Sequence, residues 1–480
     1  MRRSFAGVVG LLVVCCVGCG DNAQFAGDGG VDSQHASDGI VEDGPQFEPT
    51  ELDEYVAAPD PAFAFDATPV AEEDLGTSIA RAYRFTSQRW LTEAEVDEPL
   101  WQHWLVVYEP KETPIATGAI IVSGGSRSET PPSFASEVGL LSWLTRTVIA
   151  EIRNIPNQPL RFAAPDGSGY IAEGLKEDRL IAFAWARFLD TGNPLWLPRL
   201  PMVKAVVRAM DIVQKLKPDV RDFVVMGASK RGWTTWLTGA VDRRVIGIVP
   251  IVIDCLNLVP SFENHYAAYG FWAPAVAPYV EAGIMDRMEE PNFAELVRIV
   301  DPYSYRERLT LPKYIVNSTG DEFFTPDSWE FYYADLPGEK YLRYVPNTSH
   351  ELEEQVAYDA ISFFHAVANK TPRPEFTWGR ESDGSLWLKC TTQPSSVKVW
   401  RAVNPDARDF RLSTLGAVWT SQPLTADASG VYRAQAEVPA KGWAALLIEA
   451  EFPNPSFGYP LRFTTGVSIV PDTRPYAGQR

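Results

Sequence analysis

The segment Phe223–Trp233, FVVMGASKRGW, places one serine where it can act as a nucleophile. The apolar first half of the segment is typical of a buried strand, and the residues from Lys230 onward have the spacing of a helix. Gly227 and Gly232 allow a tight turn between the two. Ser229 is therefore predicted on a sharp strand-to-helix turn. Its hydroxyl would be exposed beside the first N–H groups of the helix, which can hold an oxyanion.

Two later residues can supply the base and the acid that a nucleophilic serine needs. Serine attacks weakly unless a base takes its proton and an acid orients that base. Asp321 follows a predicted strand at 314–317, and His350 follows a predicted strand at 341–345 and stands before a predicted helix. The chain order Ser, Asp, His, with each residue in a loop after a strand, is the order found in α/β-hydrolases. Asp254, which ends another predicted strand, is an alternative acid.

Further residues are predicted to stabilise the negative oxygen that forms during an attack on a carbonyl. One donor is the backbone N–H of Lys230, and a second comes from the loop after a predicted strand at 119–122, where Gly124 and Gly125 allow close approach of the backbone. The ammonium of Lys230 can reach the oxyanion or an acidic group of the substrate. The alternative for Lys230 and Arg231 is an ion pair with a carboxylate.

Composition and charge exclude several classes of partner. The chain has 480 residues, of which 45% are apolar and 12% aromatic, so it can bury a large core. Its formal net charge of −19 argues against nucleic acid and against an anionic membrane surface as partners. No cysteine and histidine cluster has metal-ligand spacing, and we predict neither metal nor cofactor. Cys255 and Cys390 are predicted to be two buried thiols without a disulfide.

Residues 1–18 have the features of a bacterial lipoprotein signal peptide. Two arginines precede an apolar run at 8–17 that is too short to span a bilayer. Gly18 precedes Cys19 as in a lipobox, so cleavage there would leave Cys19 as the lipidated first residue. An ordinary secretory signal is the alternative. We predict an outer-membrane lipoprotein that faces the periplasm or the cell surface and contacts the membrane only through its N-terminal lipid.

The rest of the chain divides into three parts by composition and periodicity. Residues 19–50 are polar, acidic and rich in glycine, which predicts a disordered tether. In 51–373 strands and helices alternate, which predicts a mainly parallel sheet with helices on both faces. An aromatic and proline-containing stretch at 256–308 interrupts this alternation and is predicted to be an insertion over the site. Periodicity of two in 374–480 predicts a small antiparallel β-sandwich domain.

Several motifs resemble those of the PhoPQ-activated pathogenicity-related protein family. They are LDEYV at 52–56, IPNQP at 155–159, LPMVKA at 200–205, GASKRGWTTW at 227–236, STGDEFF at 318–324 and RDFR at 408–411. The resemblance covers about Leu52 to Pro475 and implies an exported bacterial protein with an α/β-hydrolase-like domain and a β-rich C-terminal region. A narrower similarity to bacterial glucuronoyl esterases lies in the basic residue after the nucleophile, Lys230.

These observations together predict an exported serine hydrolase. The expected substrate is a carboxylic ester, either of a small molecule or linked to a saccharide or peptide. The same three residues would also serve a peptidase or an amidase, which is the alternative within the class of enzymes. The alternative from another class is a non-catalytic envelope lipoprotein built on a hydrolase scaffold.

Overall fold

The computed structural model describes residues 47–164, 167–353 and 355–479. The predicted signal peptide, the lipidated Cys19 and most of the predicted tether lie outside the described residues. No helix in the described ranges combines the length and the apolar character needed to cross a membrane.

The described part of the chain is a mixed α/β structure. Its strands are β1 (Ala64–Phe65), β2 (Ala71–Asp74), β3 (Ser78–Arg89), β4 (Leu100–Pro110), β5 (Thr117–Val122), β6 (Ile149–Ile152), β7 (Asp222–Ala228), β8 (Val245–Ile251), β9 (Lys313–Ser318), β10 (Lys340–Val345), β11 (Phe376–Arg380), β12 (Leu386–Cys390), β13 (Ser396–Asn404), β14 (Thr420–Pro423), β15 (Val431–Ala434), β16 (Trp443–Phe452), β17 (Leu461–Thr464) and β18 (Ser468–Val470). Its α-helices are α1 (Glu51–Ala57), α2 (Ser136–Thr145), α3 (Glu177–Thr191), α4 (Arg199–Leu216), α5 (Lys230–Val241), α6 (Leu258–Tyr269), α7 (Ala277–Glu281), α8 (Pro291–Val300), α9 (Gln355–Ala368) and α10 (Leu412–Leu415).

One sheet of 15 strands runs through the molecule. Its spatial order is β1-β3-β4-β6-β5-β7-β8-β9-β10-β17-β16-β13-β14, with β2 on β3 and β18 on β16. The strands from β6 to β10 are parallel to their neighbours, and those on either side are antiparallel. Because β5, β7, β8, β9 and β10 all point the same way, the loops that follow them meet at one edge of the sheet.

Helices cover both faces of the parallel strands, as the alternation of strands and helices predicted. In β7, Phe223 and Val225 pack into a core with residues of α3, α4 and α5, while Val224 and Met226 pack on the opposite side with α2 and α9. Successive residues of a strand face opposite sides, so a strand with both faces buried is apolar along its whole length. This explains the continuous apolar run before the serine turn.

The predicted insertion forms three helices, α6, α7 and α8, between β8 and β9. It packs against helices of the main layer: the Tyr279 hydroxyl donates to Asp178 of α3 at 3.0 Å, and the indole N–H of Trp233 in α5 donates to the Val300 carbonyl at 2.5 Å. The insertion is therefore tied to the helix that follows Ser229.

The C-terminal region has two β-layers, but the larger layer is not a separate sheet. Strand β17 pairs with β10, with Leu342 opposite Thr464, so β17, β16, β13 and β14 extend the central sheet. Strands β11, β12 and β15 form the second sheet. Buried charges reinforce the junction, because Arg343 of β10 donates to Glu449 of β16 at 2.8 Å and to Asp359 at 3.0 Å. The sandwich thus shares its larger sheet with the α/β part.

Three details differ from the sequence-based expectations. The long strand β3 was not predicted. Helix α9 begins at Gln355, so His350 does not stand directly before the helix. The thiol of Cys255 is buried as predicted, but Cys390 is only half-buried, and both thiols are free.

Candidate active site

Ser229 lies on the sharp turn between β7 and α5. Its φ of 56° and ψ of −124° are unusual for a residue with a side chain, and such strain is common at nucleophilic turns. The turn requires glycine on both sides. A Cβ at Gly227 would lie 2.8 Å from the Arg231 carbonyl oxygen, and one at Gly232 would lie 2.9 Å from the carbonyl oxygens of Gly227 and Ile251. The glycine spacing thus has a steric cause.

Ser229, His350 and Asp321 form a continuous hydrogen-bonded chain at the carboxyl edge of the sheet. His350 Nε2 lies 2.9 Å from Ser229 Oγ, and His350 Nδ1 lies 2.9 Å from Asp321 Oδ2. The carboxylate of Asp321 accepts a hydrogen bond from the N–H at Nδ1, which leaves Nε2 free to accept the proton of Ser229. The Asp321 side chain is buried, whereas the His350 side chain is 14% exposed. This geometry permits general-base activation of the serine.

Contacts with the loop after β9 hold His350 in place. Glu322 Oε2 accepts a hydrogen bond from the His350 backbone N–H at 2.8 Å. The imidazole packs against Phe323, with 4.5 Å between the ring centroids. Asp321 is itself oriented, because its Oδ1 accepts from the Phe323 N–H at 2.7 Å. Adjacent residues of one loop therefore orient both the backbone and the ring of His350.

Asp254, the alternative acid, has different partners. Its two carboxyl oxygens accept hydrogen bonds from the hydroxyls of Tyr332 at 2.6 Å and Tyr344 at 2.5 Å. Burial raises the pKa of Asp254 to about 7, even though both hydrogen bonds favour the charged form. The carboxylate that contacts His350 is that of Asp321.

The side chain of Lys230 pairs with two carboxylates at the start of α3. Its Nζ lies 2.7 Å from Asp178 and 3.4 Å from Glu177, and Arg231 contacts both carboxyl oxygens of Glu177 at 2.8 and 2.5 Å. Burial would raise the pKa of Glu177, but the charges of Arg231 and Lys230 outweigh it and lower this pKa to about 2. The ion pair that the sequence left as an alternative is therefore present at both residues.

The glycine loop after β5 is fixed beside the serine turn. Val122 pairs with Gly227 across β5 and β7, and a Cβ at Gly124 would overlap the guanidinium of Arg231. The Asn154 N–H donates to the Gly124 carbonyl at 2.8 Å. Glycine at 124 is thus required by close packing against the residue two positions after Ser229.

Gln158 links this loop to the charged cluster. Its Nε2 donates to the Gly125 carbonyl at 2.8 Å and to Glu177 Oε1 at 2.6 Å. Gly125 has a φ of +106°, which favours glycine. A chain of hydrogen bonds therefore runs from the Gly125 carbonyl through Gln158 and Glu177 to Arg231.

Sequence reasoning did not identify Gln158, Glu177, Asp178 or the anchoring role of Glu322. Gln158 stands in the IPNQP motif, which indicated only a family resemblance, and Glu177 and Asp178 belong to none of the motifs of the sequence. Two further histidines, His103 and His265, are buried, and burial lowers the pKa of each to about 4. Over the residues described, no three His, Cys, Asp or Glu side chains are grouped to hold a metal ion.

The strand order, the helices on both faces and the serine turn after the central β7 are those of the α/β-hydrolase fold. Among solved structures, acetyl xylan esterase 1 from Thermoanaerobacterium matches with a TM-score of 0.45 and 15% identity, over 66% of this chain and 94% of that one. A glucuronoyl esterase from Solibacter usitatus matches with a TM-score of 0.37 and 14% identity, over 67% and 91% of the respective chains. These values are too low to transfer an activity.

Sequence comparison is more specific. The model of the PhoPQ-activated pathogenicity-related protein family matches residues 52–411. Autocrine proliferation repressor protein A of Dictyostelium discoideum is 37% identical over 461 residues, which cover 89% of this chain and 92% of that protein. The chain belongs to the PhoPQ-activated pathogenicity-related protein family.

Proposed function

We propose that the protein is an exported serine hydrolase that cleaves carboxylic esters, with Ser229 as nucleophile, His350 as base and Asp321 as the acid that orients it. The observation that carries this proposal is the unbroken hydrogen-bonded chain from Ser229 Oγ through both ring nitrogens of His350 to Asp321. Each member also has a fixed environment: the strained turn at Ser229, the buried carboxylate of Asp321 and the anchored backbone of His350.

In the first half of the proposed reaction, His350 Nε2 takes the proton of Ser229 as Oγ attacks the ester carbonyl carbon. The carbonyl oxygen becomes an oxyanion, and the proposed donors that stabilise it are the N–H of Lys230 and an N–H of the loop that contains Gly124 and Gly125. As the first residue of α5, Lys230 has no intrahelical acceptor for its N–H. The intermediate collapses when the bond to the leaving alcohol breaks, and His350 gives its proton to that alcohol.

In the second half, water replaces the alcohol. His350 takes a proton from the water as it attacks the acyl carbon on Ser229, and the proton then returns to Ser229 Oγ as the acid leaves. The hydrogen bonds of Gln158 and Asn154 to the glycine loop stabilise its conformation before substrate binds. Preorganised donors of this kind contribute most when they need no rearrangement during the reaction.

The test compares ester and amide hydrolysis by wild type, Ser229→Ala and Ser304→Ala, with p-nitrophenyl acetate and p-nitroacetanilide as substrates. Ser304 lies exposed on the insertion and is a matched serine control. We expect Ser229→Ala to lower kcat for the ester by ~10⁴-fold or more, because an unactivated site retains only binding and oxyanion stabilisation. Ser304→Ala should match wild type.

The outcomes separate the alternatives. Comparable hydrolysis of the anilide would favour a peptidase or amidase. No turnover and no Ser229-dependent reactivity would favour a non-catalytic protein on a hydrolase scaffold.

We propose further that the protein is a lipoprotein of the bacterial cell envelope. The support lies in the sequence, where Gly18 and Cys19 end a short apolar run that follows two arginines. Cys19→Ser should abolish lipid attachment and move the protein from the membrane fraction to the soluble fraction. Unchanged membrane fractionation of this variant would contradict the proposal.

A further inference from the structure

A pocket of about 440 Å³ adjoins the glycine loop beside Ser229. Gly124 and Gly125 form part of its lining, so the pocket and the proposed oxyanion donors share one loop. Its volume lies in the range of roughly 300–1,000 Å³ that is usual for small-molecule sites. Ser229 itself does not line the pocket, which is a candidate site for a group attached to an ester bound at Ser229, and the chemistry of the lining indicates what that group is.

An ion pair lies in the wall of the pocket. Glu151 Oε2 accepts a hydrogen bond from Arg153 Nη2 at 2.9 Å, and the Glu151 side chain is 3% exposed. The Nε of Arg153 is buried and has no hydrogen-bond partner among the described residues. The wall of the pocket thus carries a guanidinium on a side chain that is 26% exposed, next to a carboxylate.

The charges of Glu151 and Arg153 cancel, which favours a neutral ligand. An anionic ligand would face the Glu151 carboxylate, and a cationic one would face the Arg153 guanidinium. A carboxylate beside a guanidinium suits a ligand whose groups both donate and accept hydrogen bonds, as the hydroxyls of a sugar do.

The other residues that line the pocket provide an apolar wall and further hydrogen-bonding groups. Glu151 pairs with Val106 of β4, two residues from Trp104, so the side chains of Glu151 and Trp104 project from the same face of the sheet. Trp104 provides an apolar wall, and its indole N–H is held by the Ser128 carbonyl at 2.8 Å. The hydroxyls of Ser123 and Ser126 add short polar groups. An aromatic wall beside hydrogen-bonding groups suits the apolar and polar parts of a sugar ring.

We infer that this pocket binds one neutral saccharide unit, and that the ester cleaved at Ser229 is a sugar ester. The reaction rests on the proposed function, but binding of the saccharide does not. The sugar can form either the alcohol part or the acyl part of the ester, and the experiment distinguishes the two.

Binding is measured first, by saturation-transfer NMR and calorimetric titration on Ser229→Ala, which cannot turn over substrate. The ligands are methyl β-D-glucopyranoside and methyl β-D-xylopyranoside, with cyclohexylmethanol as the apolar control and methyl β-D-glucuronide as the anionic control. We expect at least one neutral glycoside to bind more tightly than both controls. Glu151→Gln or Arg153→Met, added to Ser229→Ala, should weaken that binding about tenfold.

Ser126→Phe gives a further variant at a less buried position, in case the changes at 151 and 153 disturb folding, and circular dichroism checks each protein. This variant should reduce saccharide binding by filling the pocket. The inference is overturned if no neutral glycoside binds at 50 mM, if a control binds more tightly, or if folded variants bind the glycoside as the parent does.

Turnover is measured second, with methyl 6-O-acetyl-β-D-glucopyranoside, methyl (methyl β-D-glucopyranosid)uronate and cyclohexylmethyl acetate. Preference for the first places the sugar on the alcohol side, and preference for the second places it on the acyl side. Glu151→Gln should lower the ratio of kcat/KM for the preferred sugar ester to that for cyclohexylmethyl acetate about tenfold. If glycosides bind but no ester is cleaved, the proposed function fails and the inference about the pocket stands. If esters are cleaved without preference for a sugar, the inference fails alone.

Discussion

Replacing Glu177 by glutamine should destabilise the protein, because this carboxylate neutralises two cations that are packed under the serine turn. The pKa of Glu177 falls from 4.5 to about 2 although burial opposes the fall, owing to the charges of Arg231 and Lys230. At about 1.4 kcal/mol for each tenfold change in acidity, the fall corresponds to about 3 kcal/mol. The side chain is 31% exposed, and solvent screening reduces this value to about 2 kcal/mol.

The pH dependence follows from the direction of the shift. Since the folded-state pKa lies below the ordinary value, the stabilisation by Glu177 is fully present above pH 4.5 and is lost as the pH falls towards 2. At pH 3, about two-fifths of the stabilisation by Glu177 remains. The difference in unfolding free energy between wild type and Glu177→Gln should therefore shrink between pH 7 and pH 3.

Urea unfolding at both pH values, followed by tryptophan fluorescence, measures this difference. Glu281→Gln is the matched control, because Glu281 is 60% exposed and lies 3.6 Å from Arg179. The control should stay within about 0.5 kcal/mol of wild type, as exposed pairs usually do. Equal stability of Glu177→Gln and wild type at pH 7, or a difference that does not shrink at pH 3, would refute the reasoning.

Three further predictions concern the carboxylates of Asp321, Asp254 and Glu322. Asp321→Asn should lower kcat for p-nitrophenyl acetate by ~10²–10⁴-fold because the amide no longer stabilises the imidazolium, whereas Asp254→Asn should lower it less than tenfold; equal losses would contradict the choice of acid. The pKa of Asp254 in the folded protein is about 7, above its ordinary value of 3.8, so the protein loses stability as the pH rises from about 4 to 7. The urea midpoints at pH 5 and pH 8 should therefore lie closer together in Asp254→Asn than in wild type. Glu322→Ala should lower kcat several-fold with KM little changed, and Glu322→Gln should restore it, since an amide oxygen also accepts from the His350 N–H; failure of this rescue would argue against the anchoring role.

The turn at Ser229 was predictable because its signals are local. An apolar strand, glycines at 227 and 232 and a helical pattern follow one another, and α5 begins at Lys230 as predicted. The positions of Asp321 and His350 were predictable from the topology, since parallel strands bring the loops at their carboxyl ends to one edge of the sheet. Their catalytic roles stay predictions.

Features that depend on distant parts of the chain were not predictable. Asp178 contacts Lys230 across 52 residues, and this contact depends on how α3 packs against the rest of the structure. The pairing of Leu342 with Thr464 likewise joins two strand edges whose side chains carry no pairing signal. The helical pattern before α9 extends back to Glu351, but residues 351–353 are not helical, and the preceding residue, His350, is held by Glu322.

Labelling with a fluorophosphonate tests the central claim most directly. The reagent forms a stable adduct only with an activated serine, and peptide mapping by mass spectrometry locates the modified residue. The account predicts one adduct, on Ser229, that is absent in Ser229→Ala and strongly reduced in His350→Ala. Labelling of Ser229→Ala to the same extent as wild type, or an adduct on another residue, would contradict it.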